Sequence, residues 1–63
     1  MIPESLLKEY KFSILDKKDG ELTIRMASGK VVTISRIGGE VKWSPGIYSP
    51  EEIELLNKLQ RYL

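Results

Sequence analysis

Ser49-Pro50-Glu51-Glu52 is the stretch that decides the fold, because the period of the apolar residues changes there. Before it, apolar and polar residues alternate as in half-buried strands. After it, Ile53, Leu55, Leu56, Leu59, Tyr62 and Leu63 recur at helical spacing. The boundary also carries the chemistry of a helix start. Ser49 can cap, Pro50 suits the first helical position, and Glu52 stands where a capping-box carboxylate reaches back. The chain therefore reads as α+β, a small sheet closed by a C-terminal helix.

Upstream of the boundary, three glycine-bearing turns allow a strand register to be derived. With Lys18-Asp19-Gly20 as a three-residue hairpin loop, Lys17 faces Glu21, Leu15 faces Thr23, Ile14 faces Ile24 and Phe12 faces Met26. Ala27-Ser28-Gly29 repeats the motif and sets Met26 against Lys30, Arg25 against Val31, Ile24 against Val32, Thr23 against Thr33 and Leu22 against Ile34. A two-residue loop here would bury Thr33 and Ser35 and expose Val32 and Ile34, so burial selects the longer loop. Gly38-Gly39 suits a two-residue primed turn, pairing Ile37 with Glu40, Arg36 with Val41 and Ile34 with Trp43. All three turns agree on one inner face: Phe12, Ile14, Leu22, Ile24, Met26, Val32, Ile34, Val41 and Trp43. Arg36 is the misfit, placed inward near the end of the sheet and expected to snorkel past the helix edge.

The expected architecture is thus a four-stranded antiparallel meander, open or curled toward a small SH3-like barrel, packed by the C-terminal helix. Ile53, Leu56 and Leu59 are expected to cover the sheet. Ser44-Pro45-Gly46 reads as a type II turn with Gly46 supplying positive φ. Residues 2–9 can form one or two helical turns from Pro3. No repeat or linker divides the chain, so residues 1–63 form one domain, and the capped helix running to the last residue fits a complete small protein.

Composition removes several function classes. The 63 residues include no Cys and no His, so there is no thiol nucleophile, no disulfide, and neither of the commonest zinc ligands. Charged residues make up 30% of the chain but the net charge is only +1, too balanced for a strong sequence-independent nucleic-acid field. Few amides with abundant Lys, Glu and Ile give a thermophile-like composition. No apolar run approaches the ~20 residues of a membrane span and no signal-peptide pattern opens the chain. We expect a cytoplasmic protein without membrane contact, metal or cofactor.

Asp16, Asp19 and Glu21 surround a glycine but lack the ligand spacing of a calcium loop, and Asp19-Gly20 is ordinary hairpin chemistry. Gly38-Gly39 has no phosphate-loop context. Glu51 and Glu52 sit where carboxylates complement a helix dipole. No catalytic constellation emerges, and the chain reads as a non-enzyme.

Two surfaces remain as candidates. The outer sheet face is expected to carry Lys11, Ser13, Leu15, Thr23, Arg25, Val31, Thr33, Ser35 and Lys42, with aliphatic Leu15 and Val31 amid hydroxyls and positive charge. The second is the edge from Trp43 to Tyr48, where Trp43 either plugs the core or serves as an exposed anchor, and where a partner strand could pair.

In its turn and helix order the chain resembles small archaeal chromatin proteins that bind duplex DNA with a sheet face. That likeness is architectural and implies duplex-DNA binding by a sheet face; on this chain's own residues such a contact would use Lys11, Arg25, Lys30, Arg36 and Lys42. Leu6-Leu7, Leu22-Thr23-Ile24 and the run from Ser49 to Leu56 also echo the order of N-terminal docking domains of the TubC type, which implies a protein partner. The expected function is a non-catalytic binding or adaptor module acting through protein–protein contacts, with homodimerisation open through either surface; the alternative is duplex-DNA binding by a basic outer face.

Overall fold

A computed structural model describes residues 1–63. The element order is α1 (Glu4–Tyr10), β1 (Ser13–Lys18), β2 (Glu21–Arg25), β3 (Val31–Ile37), β4 (Glu40–Trp43) and α2 (Pro50–Leu59), extended by a 3₁₀ turn over Gln60–Tyr62. The strands form one antiparallel sheet in the order β1-β2-β3-β4, not closed into a barrel. The α+β meander with a C-terminal helix is the architecture the patterning predicts.

The second and third turns adopt the expected register pair by pair. Met26 N donates to Lys30 O at 2.8 Å, closing the three-residue loop, with Gly29 at φ 94°. Gly38 and Gly39 both have positive φ, as a primed two-residue turn requires.

The first hairpin differs near its turn. Lys18 pairs with Glu21, Lys17 with Leu22 and Asp16 with Thr23. The register then slips at Leu15, so that Ile14 faces Ile24 as expected. Side-chain length explains the slip. Unbroken pairing from Ile14 would place the short Asp16 carboxylate opposite Leu22, over the core. The bulge puts Lys17 there instead, whose long stem can carry its charge out to water.

Nine side chains make the buried core: Phe12, Leu22, Ile24, Met26, Val32, Ile34, Leu55, Leu56 and Leu59. Ile14 and Ile53, both expected inside, are each 41% exposed. A helix about 10 Å wide covers roughly two strands spaced about 4.8 Å apart. The inner faces of β2 and β3 are covered, while inner-face residues of the edge strands, Ile14 on β1 and Val41 and Trp43 on β4, are at best half-buried. On α2 the covering stripe is Leu55, Leu56 and Leu59. Ile53 lies about 120° around the helix from Leu59 and faces outward.

The helix boundary is a full capping box. Ser49 Oγ accepts from Glu52 N at 3.2 Å while Glu52 Oε1 accepts from Ser49 N at 2.8 Å, with Pro50 in the first turn. At the other end of the sheet Arg36 does snorkel, and it finds a partner: Nη2 donates to Gln60 O at 2.9 Å, a carbonyl whose other donor is the more distant Leu63 N at 3.4 Å.

Helix α1 begins after Pro3 and lays Leu6 and Leu7, both half-buried, against the core. It ends at Lys11, whose φ of 55° and ψ of 47° are left-handed, with its N–H donating to Leu7 O at 2.8 Å. The type II turn expected at Ser44-Pro45-Gly46 is absent, since Gly46 is not among the positive-φ glycines. Space is tight there instead: a Cβ would lie 3.1 Å from Tyr48 Oη and 3.2 Å from Cζ, so the ring would have to give by a few tenths of an ångström.

Candidate functional site

The outer sheet face is assembled by the register. Cα partners share a face, so Ser13, Asp16 and Lys18 of β1 join Glu21, Thr23 and Arg25 of β2, Val31, Thr33, Ser35 and Ile37 of β3, and Glu40 and Lys42 of β4. No element covers this side. Thr23 and Thr33 are half-buried at its centre, with their hydroxyl oxygens 3.1 Å apart in a hydrogen bond. Thr33 is anchored further, since its N–H donates to Ser44 Oγ at 3.2 Å and its carbonyl accepts from Ser44 N at 3.0 Å.

This face is not basic. The slip at Leu15 brings Asp16 and Lys18 onto it, and its ionic side chains are Asp16, Glu21 and Glu40 against Lys18, Arg25 and Lys42. Lys18 lies 3.9 Å from Asp16, and Lys42 lies 3.8 Å from Glu40. Exposed pairs at such distances contribute little to stability, yet they cancel the local field. Arg25 makes no ion pair and stands directly opposite Val31, which is 52% exposed. Leu15, 45% exposed, sits at the slip on the edge strand.

The sequence-derived site residues thus divide among three places. Arg25, Val31, Thr33 and Lys42 come together on the outer face, with Leu15 at its margin. Lys11 does not join them. Its left-handed backbone ends α1, and its side chain lines a different surface. Trp43 is on the inner face opposite Ile34, half-buried and packed on the core. Tyr48 is half-buried with its hydroxyl donating to Ser44 O at 2.5 Å, and Lys30 Nζ stands 5.4 Å from its ring centroid. Trp43 and Tyr48 thus turn their side chains toward the core, while Ile47 between them is 91% exposed, and Tyr48 serves to close the loop. Tyr10, half-buried, donates to Glu54 Oε1 at 2.6 Å.

The surface that Lys11 lines is an open groove of about 590 Å³ between the end of α1, the turn after β2 and the start of α2. Its floor is Met26 and Leu55, and its walls include Glu9, Glu51, Glu52 and Glu54. Two of those carboxylates are already committed. Glu52 accepts from Lys30 Nζ at 2.8 Å and from Ser28 Oγ at 2.9 Å as well as closing the capping box. The Lys30 bond, with help from Ser49 N–H and Ser28, holds its carboxyl at about 2. Glu54 is lowered too, chiefly by the Tyr10 hydroxyl and then by Lys58, while the Tyr10 hydroxyl is raised by the same bond. These two carboxylates hold the helix in place, and Glu9, Glu51 and Lys11 are the charged groove side chains left without an ion pair. Sequence reasoning missed it because it forms only where α1 meets α2. Nowhere do three or more Asp and Glu side chains gather as metal ligands.

No helix is long and apolar enough to cross a membrane. No family model, curated protein or solved structure matches the chain.

Proposed function

We propose that the chain is a small non-catalytic binding module acting through protein–protein contacts on the outer face of its sheet. The observation that carries this reading is the Arg25–Val31 pair: an unpaired guanidinium beside an exposed aliphatic side chain, on a face that α2 leaves uncovered. Arginine beside apolar surface, framed by mutually cancelling charges, is interface chemistry. Leu15 extends the apolar part of the patch to the edge strand.

The positions of the basic side chains favour a protein partner over duplex DNA. Of the five cations that a duplex contact would use, Lys11 is off the face, Lys30 is bound to Glu52, Arg36 to Gln60 O, and Lys42 lies beside Glu40; Arg25 alone stands free. Phosphate binding depends on several free cations acting together.

The test uses the full chain as bait in its native host, beside an Arg25→Glu/Val31→Asp variant checked for an unchanged circular dichroism spectrum. Loss of a captured protein in the variant supports the reading, and retention of every captured protein refutes it. A parallel titration with duplex DNA at low and moderate salt addresses the alternative. Salt-sensitive binding of micromolar strength or tighter would replace the protein reading with the duplex one.

A further inference from the structure

The open sheet has two edges, and they differ. β1 is guarded: its register slips at Leu15, a feature that discourages strand addition. β4 pairs with β3 without any slip. Ser44 N donates to Thr33 O, and bonded and non-bonded positions alternate along an antiparallel pair. Lys42 and Glu40 therefore also point their backbone groups toward β3. The N–H and C=O of Val41 and Trp43 point off the edge, and no turn or loop bond reaches them.

We propose that the β4 edge pairs with the β4 edge of a second copy of the chain, antiparallel about a two-fold axis at Val41. The register follows from the residues. Outward-pointing positions must face one another, which leaves axes at Glu40, Val41, Lys42 or Trp43. An axis at Glu40 or Lys42 sets like charges against each other. One at Trp43 brings Pro45, which has no N–H, opposite Val41. The axis at Val41 pairs Val41 with its own copy, sets Glu40 against the second copy's Lys42 twice, and lays Trp43 over the second copy's Gly39. Gly39 belongs to the turn at φ 84°, so Trp43 meets the second copy's turn and the paired ladder itself is Glu40 to Lys42. The product is a continuous eight-stranded sheet with both α2 helices on one side. The Arg25–Val31 face stays free, so the two proposals stand or fall separately.

Sedimentation equilibrium of the full chain from micromolar to millimolar concentration tests this. The expected result is a concentration-dependent species of twice the chain mass. Glu40→Lys turns two attractive cross-strand pairs into repulsive ones and should weaken the dimer about tenfold. The Glu40→Lys/Lys42→Glu double variant restores complementarity and should recover it. Val41→Pro removes an outward N–H that β3 does not use, and should yield a monomer with an unchanged circular dichroism spectrum. A wild-type chain that stays monomeric at millimolar concentration overturns the proposal. So does a dimer that Glu40→Lys leaves unweakened, or one dissociated by Arg25→Glu instead.

Discussion

Lys30 Nζ lies 2.8 Å from Glu52 Oε1, and this ion pair ties the turn between β2 and β3 to the first turn of α2. The same ammonium donates to Ile47 O at 2.6 Å, and Ser28 from the same turn reaches the other carboxylate oxygen. The capping box is therefore a tertiary junction as well as a local signal, fixing where the helix lands on the sheet.

That junction has a pH signature. The Glu52 carboxyl is lowered from 4.5 to about 2, chiefly by Lys30. A depressed folded-state value means stabilisation that is complete above pH 4.5 and lost as pH falls toward about 2. Glu52→Gln should melt below wild type at neutral pH, and the gap should close through that acid window. Thermal melts followed by circular dichroism across the window would show it; a gap that persists at the acid end would disprove the linkage.

The helix face can be read by truncation. Leu56→Ala removes a side chain with 0% exposure and should cost about 2–5 kcal/mol, enough to unfold much of so small a domain. Ile53→Ala, at a position 41% exposed, should cost less than about 1 kcal/mol. Denaturant titrations of the two variants decide whether the covering stripe is as described.

Gly46 should be sensitive to its neighbour and not to its own backbone. Gly46→Ala brings a methyl against the Tyr48 ring and should cost about 1 kcal/mol by disturbing the bond to Ser44. In a Tyr48→Ala background the same substitution should be neutral or slightly stabilising, because it then only restricts the unfolded chain. A double-mutant cycle measures the difference.

Arg36→Met keeps the stem against the sheet and deletes the bond to Gln60 O. We expect a loss of about 0.5–1 kcal/mol and faster amide exchange over residues 60–63, with the sheet amides unchanged. Uniformly faster exchange across the sheet would argue against a local role.

Lys11 holds a left-handed conformation that glycine adopts more readily. Lys11→Gly should therefore stabilise by about 0.5–1 kcal/mol, seen as a raised melting temperature.

Local rules made much of this fold legible. The turns at Gly29 and Gly38-Gly39 set registers through glycine conformation, and the cap at Ser49 marked the helix by hydrogen bonds spanning three residues. Where expectation and structure part, side-chain packing rather than turn stereochemistry is involved. Gly46 answers to the Tyr48 ring two residues on, Asp16 to the core beneath it, and Ile14 to the width of a helix that reaches only two strands. The candidate site was legible to the same extent: the Arg25–Val31 pair followed from a turn, whereas a basic face did not survive the placing of Lys11 at the end of α1 and of Asp16, Glu21 and Glu40 beside the remaining cations.

The sequence alone determined the order of elements, the inner face and the helix start, because each depends on periodicity and turn stereochemistry within a few residues. Only the tertiary structure decided which helix face is buried, which charges cancel on the outer sheet, and that Glu52 serves Lys30 as well as its own cap. Those outcomes depend on competition among distant side chains for the same space and the same hydrogen bonds, and no local pattern encodes that.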